Sequence, residues 1–192
     1  MGCDVIGLDF SATAIDYASR QAARMIHQPR YRVADYLDWQ ERECYDRTLL
    51  IYEDFGVLPP AQRQRLLANI HCALRPGGLF ALDVAGLAAY RTLVTRPARD
   101  WELCGDGFWR SHEHLVLHER FLYPDIPATC DQYAIVDNHT VIYRIYQTYY
   151  TPETIVDELE RSGFAVEDVF SSLNGQPWDE NSGQIGIVCR KA

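Results

Sequence analysis

Residues 3–17, CDVIGLDFSATAIDY, hold a short apolar run, an acid and a helix start in one stretch. The apolar run is typical of a buried parallel strand, and Ser11 is a good N-cap for the helix that follows. Asp9 is therefore predicted at the carboxyl end of a strand, the edge at which doubly wound sheets bind ligands. Its two carboxylate oxygens could accept hydrogen bonds from both hydroxyls of a ribose. The alternative is that Asp9 only helps to cap the helix.

The composition limits the classes of function. A chain of 192 residues is long enough for one domain with a sizeable core. The formal charge of −9 and the lack of basic clusters argue against a nucleic-acid partner, because phosphate neutralisation needs grouped Lys and Arg. Lys191 is the only lysine, which excludes Schiff-base chemistry and a P-loop.

The cysteines indicate a reducing compartment. Their spacing contains no CxxC pair and no ligand-like arrangement with histidine, so we expect free thiols and no metal site. They stand at positions 3, 44, 72, 104, 130 and 189. The longest apolar stretch, 79–89, is broken by Asp83 and Gly86. The sequence thus predicts a cytoplasmic protein with no membrane span and no signal peptide.

Strands and helices alternate along the first half. Strands are predicted at 31–34, 48–52 and 79–84, and a helix opens at Pro59–Pro60 and stops at Pro76. Acids follow the first two of these strands, at Asp35 and at Glu53. This order predicts an α/β fold with a parallel sheet and right-handed crossovers.

The character changes between residues 100 and 150. Aromatic and β-branched residues are dense there, and three antiparallel strands are predicted at about 108–122, 129–136 and 140–149. A helix capped by Thr151 and strands at 164–170 and 185–189 close the chain. The predicted organisation is a core at 1–99, an inserted sheet at 100–150 and a final helix and strand pair at 151–192.

Four segments in this order resemble the class I S-adenosylmethionine-dependent methyltransferases. They are VIGLDFSATAIDYA, VADYLDW, LLIYEDFGVL and LRPGGLFALDV, and the tail YYTPETIVDELERSGFAVEDVF is similar to the family's last helix and strand pair. The resemblance implies a Rossmann-like, doubly wound, mostly parallel sheet with the antiparallel insertion as a lid over the acceptor. It also implies S-adenosylmethionine as cofactor and a small-molecule methyl acceptor, and we expect that the chain can form a homodimer.

The resemblance carries roles to individual positions. Asp9 matches the acid that holds the ribose hydroxyls, and Phe10 the residue beside the adenine. Asp35 matches the acid that accepts a hydrogen bond from the adenine amino group, with Tyr36 next to it. The loop that passes the methionine end of the cofactor and faces the acceptor corresponds to Glu53, Asp54 and Phe55. Phe10 and Tyr36 could instead be core aromatics, and Glu53 a solvated loop acid.

One part of the family pattern is missing. The glycine-rich loop of the family follows its central first strand and precedes the ribose acid by about 20 residues, as in the dinucleotide fingerprint. Only eight residues precede Asp9 here. The two strands that would flank the missing central strand could pair with each other, or another chain could supply that strand. The sequence could also be a truncated form of a longer protein. We favour truncation, because everything downstream keeps the pattern.

The inserted sheet offers several candidates for acceptor contacts, namely Trp109, Arg110, Tyr149 and Tyr150. His112, His114 and His118 share a strand parity there and could form a base or a metal site, but solvent-facing histidines on a lid strand are the better interpretation. No catalytic residue is predicted.

Two other functions compete with a methyltransferase. One is a non-catalytic binding protein that keeps the fold but binds no cofactor tightly. The other is a nicotinamide-dependent oxidoreductase, which the missing catalytic lysine and the LRPGG segment disfavour.

Overall fold

The computed structural model describes residues 3–96, 98–123 and 125–192. In that part of the chain the strands are β1 (Ile6–Asp9), β2 (Arg30–Val33), β3 (Tyr45–Leu50), β4 (Leu74–Ala85), β5 (Arg99–Cys104), β6 (His114–Leu122), β7 (Ala128–Val136), β8 (Thr140–Thr148), β9 (Phe164–Phe170) and β10 (Gln184–Lys191). The helices are α1 (Ala12–Ala22), α2 (Pro60–Ala73), α3 (Leu87–Leu93) and α4 (Pro152–Glu160). Short 3-10 turns span Tyr36–Asp38 and Asp54–Val57.

The predicted helix starts are confirmed by their caps. The backbone N–H of Ala14 donates to the Ser11 hydroxyl at the start of α1. Thr151 and Thr154 form a reciprocal capping box at the start of α4. Pro60 occupies the first turn of α2, where its missing N–H costs nothing.

The strands form three separate sheets in the described residues. β1 and β2 pair in parallel, and the order in the second sheet is β3-β4-β10-β9. In that sheet β3 runs parallel to β4, whereas β10 runs antiparallel to both β4 and β9. The fold is therefore α/β with mixed sheets. It differs from the single mostly parallel sheet predicted, since no ladder of backbone hydrogen bonds joins β1 to β3 in the described residues.

The third sheet, which we call the meander, is antiparallel with the order β5-β6-β7-β8. The sequence predicted three strands here and missed β5, which pairs with β6 from Arg99↔Glu119 to Cys104↔His114. The first predicted strand also begins later than expected, at His114 rather than at Phe108. Residues 105–113 instead form a loop that folds back, with Gly107 N–H donating to Arg110 O over 2.8 Å.

The core lies between the second sheet and helices α2 and α4. Its fully buried side chains include Phe80 and Leu82 of β4, Leu67 of α2 and Ile155 of α4. These residues form the apolar stripes expected for a sheet packed against amphipathic helices. No helix among the described residues has both the length and the apolarity needed to cross a bilayer.

Candidate functional site

Asp9 ends β1 and also takes part in a helix cap. Its Oδ1 accepts a 2.7 Å hydrogen bond from the Ser11 backbone N–H, while the Ser11 hydroxyl accepts from Ala14 N at 3.2 Å. Both interpretations of Asp9 therefore have a geometric basis, because the cap uses one carboxylate oxygen and a carboxylate has two. Phe10 is 80% exposed, so its ring is not a core aromatic.

Asp35 follows β2 and caps the next 3-10 turn. Its Oδ1 accepts from Leu37 N at 2.8 Å. The turn is held against α2 by Asn69, whose amide donates to the carbonyl oxygens of Tyr36 and Leu37 at 3.0 and 2.7 Å. The strand end and the helix therefore set the position of Tyr36.

The Tyr36 hydroxyl lies beside the Asp54 carboxyl. Burial raises the pKa of Tyr36 well above its usual value, and the adjacent Asp54 and the charges of Asp35 and Asp9 raise it further. Asp9 pairs with Val33 of β2, and Asp35 follows two residues later, so the parallel strands bring these two acids to the same sheet edge. Four of the residues predicted at the cofactor thus lie at or shortly after the carboxyl ends of β1, β2 and β3, namely Asp9, Asp35, Tyr36 and Asp54.

The loop after β3 has an unusual backbone. Tyr52 and Glu53 are consecutive non-glycine residues in the left-handed region, with φ of 67° and 60°. Each such residue costs about 1–3 kcal/mol unless its surroundings hold it. The holding contact is a 2.8 Å hydrogen bond from the Glu53 backbone N–H to Asp83 Oδ1.

Asp83 and Gln184 are site residues that the sequence analysis did not predict. Asp83 is buried near the end of β4, and Gln184 opens β10. The Gln184 amide donates to Asp83 Oδ2 at 3.2 Å and to Glu53 Oε1 at 3.4 Å. The sequence signal that could have identified Asp83 is its position as an acid inside the otherwise apolar run LFALDVA. A buried charge needs a partner, so such an acid indicates a polar contact nearby.

Phe55 is placed differently from the prediction. The sequence analysis put it in the loop that faces the acceptor, yet its side chain is fully buried. Its ring lies 6.1 Å from that of Tyr150, and the Arg63 guanidinium lies 5.8 Å from its centroid. Tyr150 is also buried, with its hydroxyl 3.4 Å from Glu158 Oε2. Both aromatics belong to the core beneath the loop.

The four predicted acceptor contacts are not in one place. Trp109 packs against Tyr143 with ring centroids 5.0 Å apart, and Arg110 binds Asp137 at 3.1 Å. Tyr143 precedes Tyr149 by six residues on the same extended segment, which is about 20 Å at 3.3 Å per residue. Trp109 and Tyr149 therefore cannot both line one small acceptor site.

Tyr149 follows β8 directly, and its ring centroid lies 5.3 Å from that of Tyr90 in α3. Burial raises its pKa, and the charge of Glu53 contributes in the same direction. Its hydroxyl is 3.4 Å from the Thr129 hydroxyl. Tyr150 contacts the loop after β3 through Phe55, so the fold brings the Tyr149–Tyr150 end of the segment toward that loop.

The side chains of His112, which precedes β6, and of His114 and His118 in β6 do not meet at one site. His112 lies 3.1 Å from Asp137, whereas His114 is buried and binds the His112 carbonyl oxygen at 2.7 Å. His118 sits between Asp131 at 2.6 Å and Asp100 at 3.3 Å. Among the described residues no group of three His, Cys, Asp or Glu side chains could hold a metal ion.

The Glu53 carboxyl makes stability depend on pH. Burial raises the pKa of Glu53, the Gln184 amide lowers it, and the charge of Asp83 raises it. A carboxyl whose pKa is higher in the folded chain stabilises the fold below its unfolded pKa, and this contribution is lost as pH rises through the folded value. We expect Glu53→Gln to be more stable than the wild type at pH 7.5 but not at pH 4. Urea denaturation at both pH values measures this, and a difference that does not change with pH would contradict it.

Comparisons with known proteins agree on the fold. Residues 1–78 match the sequence model of a family described as "Methyltransferase domain". No curated protein matches the sequence significantly. The CcbJ methyltransferase from Streptomyces caelestis has a similar structure, with a TM-score of 0.71 and 14% identity over 98% of this chain and 75% of that one.

Two further solved structures of this fold carry bound ligands. The glycopeptide N-methyltransferase MtfA, complexed with S-adenosyl-L-methionine, superposes with a TM-score of 0.59 and 18% identity over 97% of this chain and 76% of that one. The 1,6-didemethyltoxoflavin-N1-methyltransferase from Burkholderia thailandensis holds 1,6-didemethyltoxoflavin and S-adenosylhomocysteine. It gives a TM-score of 0.54 and 17% identity over 98% of this chain and 61% of that one.

Proposed function

We propose that this chain is an S-adenosylmethionine-dependent methyltransferase that acts on a small-molecule acceptor. The observation that carries the proposal is the placement of Asp9 and Asp35 at the adjoining carboxyl ends of the parallel strands β1 and β2, where Tyr36 lies next to Asp54. All four residues lie within the segment that matches the methyltransferase domain. The small-molecule acceptor is supported by the glycopeptide and the toxoflavin precursor that proteins of similar fold act on.

The donor set fits the adenosine half of this cofactor. Asp9 and Asp35 each use Oδ1 for a backbone cap, and a carboxylate has a second oxygen for a hydroxyl or amino donor. Asp9 would accept from the ribose hydroxyls and Asp35 from the adenine amino group. The exposed ring of Phe10 offers an apolar surface to the flat face of a base.

The loop after β3 would lie beside the methionine end of the cofactor, which carries the methyl group to be transferred. When bound, S-adenosylmethionine supplies a methyl group on a positively charged sulfur, and transfer to the acceptor needs in-line alignment more than acid or base strength. Asp83 and Gln184 hold Glu53 in its left-handed conformation and so orient this loop. Glu53, whose pKa is raised by burial, would take a proton from an acceptor that must lose one.

A central strand would complete a Rossmann-like sheet. β1 has β2 on one side only, and β3 has β4 on one side only, in the described residues. Unpaired edges of this kind accept a further strand. Exposed apolar side chains on either side of the opening, among them Val5, Leu49 and Ile51, would be covered by it. We infer that a strand bearing a glycine-rich loop belongs there, and that it holds the methionine end of the cofactor.

We also propose a cytoplasmic location, and the cysteines support it. All six cysteines are free, and Cys3 and Cys44 are exposed. Exposed thiols without disulfides are usual for a reducing compartment. We therefore assign the protein to the cytoplasm.

The experiment is a calorimetric titration with S-adenosylmethionine of two forms of the protein. One is the 192-residue chain, and the other carries an N-terminal extension with a β-strand and a glycine-rich loop. We expect the extended form to bind at least about tenfold more tightly, a gain of about 1.4 kcal/mol, and to have the higher Tm.

The control for this titration is an extension of the same composition in scrambled order. Equal affinity of the two extensions would contradict the role of the strand and its loop. Absence of binding in every form would contradict the cofactor assignment itself and leave the chain a non-catalytic protein of methyltransferase fold.

A further inference from the structure

The two faces of the meander have different surroundings. Side chains of alternate residues in a strand share a face. One face of the meander, which we call the inner face, includes Thr129, Ile135 and Gln147. Thr129 and Ile135 are fully buried, and the Gln147 side chain lies directly against Gly56 of the loop after β3. The inner face is therefore the one that packs on the rest of the molecule.

The opposite, outer face is apolar and exposed. Large side chains from β5, β6 and β8 stand on it, and the most exposed is Trp101 of β5, at 72%. The set consists of Trp101, Leu103, Leu117, Phe121, Ile142 and Tyr146. An antiparallel sheet normally turns its apolar face to a core and its polar face to water. A contiguous exposed apolar face of this kind marks an interaction surface.

We propose that the outer face of the meander is the interface of a homodimer, in which two meanders pack face to face about a twofold axis. This interface is distinct from the strand-end acids, so it does not depend on the proposed function. A twofold contact brings the same patch of both copies together, and an apolar patch is complementary to itself.

The charge distribution favours a second copy as the occupant. The chain carries a formal charge of −9, so most of its surface repels another copy. Within the four strands, the charged residues of the outer face are Arg99, Glu119 and Arg144. Arg99 and Glu119 neutralise each other in a salt bridge. The outer face is thus slightly basic, and two copies can meet there without acid facing acid.

The area of the face is sufficient for a dimer. Three strands of 9 residues and one of 6, at about 3.3 Å per residue and about 4.8 Å spacing, give a face of roughly 520 Å². Two such faces would bury about 1,000 Å², which reaches the lower limit for a biological interface. Aligned sheets pack about 10 Å apart, which lets apolar side chains of this size interdigitate.

Two isoleucines of β8 make a matched test. Ile142 on the outer face is 51% exposed, and Ile145 on the inner face is 47% exposed. Glutamate at either position adds the same charge to the same strand. Sedimentation velocity over about 1–100 µM should show the wild type and Ile145→Glu as dimers. Ile142→Glu should associate at least about tenfold more weakly, because the dimer would bury an unpaired charge.

Three outcomes would overturn the proposal. They are a wild type that stays monomeric at every concentration, a dimer that Ile142→Glu leaves intact, and equal weakening by both substitutions. The second outcome would place the dimer contact elsewhere, for instance at the free edges of β1 and β3. Circular dichroism verifies folding, and Trp101→Ala on β5 provides a second outer-face variant that introduces no charge and is expected to weaken the dimer as well.

Discussion

Phe55→Ala is expected to lower the free energy of unfolding by about 3–5 kcal/mol, the usual cost of removing a buried aromatic side chain. The Phe55 ring has no exposed surface, contacts Tyr150 and lies under the Arg63 guanidinium. Its removal opens a cavity beneath the loop that carries Glu53 and also ends a cation–π contact. Urea denaturation of both proteins, followed by circular dichroism, measures the loss.

Phe10→Ala is the matched control for this substitution. The Phe10 ring is 80% exposed, so its loss should change stability by no more than about 0.5 kcal/mol. We expect it instead to weaken binding of S-adenosylmethionine, since its ring is proposed to lie beside the adenine. If Phe55→Ala kept full stability and lost only turnover, the acceptor-facing position predicted from the sequence would be right and the buried position wrong.

Asp9→Asn is expected to weaken binding of S-adenosylmethionine by about 1–3 kcal/mol, roughly 5- to 150-fold. Asparagine keeps a side-chain carbonyl oxygen that can accept the 2.7 Å hydrogen bond from Ser11 N, but it loses the negative charge. The substitution therefore separates ribose binding from helix capping. Calorimetric titration gives the affinity, and thermal unfolding should be nearly unchanged.

Ser11→Ala provides the opposite control for Asp9. It removes the hydroxyl that accepts from Ala14 N at the start of α1, which should cost about 0.5–2 kcal/mol of stability. The affinity for the cofactor should stay at the wild-type value. Unchanged affinity in Asp9→Asn would mean that Asp9 is only a helix cap.

Local patterns were enough to predict the elements that carry the strand-end acids. Ser11 and Thr151 predict the starts of their helices, because an N-cap is a contact between residues three apart in sequence. β1 and β4 are recognisable as strands from their apolar residues, although β1 is only half-buried and not fully buried as predicted. The position of Asp9 at a strand end follows from these two signals alone.

Contacts between distant segments could not be predicted in the same way. The sequence analysis missed β5 because this edge strand is rich in polar residues. It forms a strand only through its pairing with β6. Gln184 meets Glu53 across 131 positions of sequence. No local period encodes such a contact, since it exists only when β4 and β10 lie side by side.

By itself the sequence determined the alternation of strands and helices, the acids at the strand ends and the resemblance that assigns them to a cofactor. Each of these depends on residue type and short-range spacing, which backbone sterics and hydrogen bonding translate directly into local structure. Only the tertiary structure decided that Phe55 is buried, that Trp109 and Tyr149 are far apart, and that one face of the meander is left uncovered. The physical reason is that burial depends on which surfaces meet, and that depends on the packing of the whole chain.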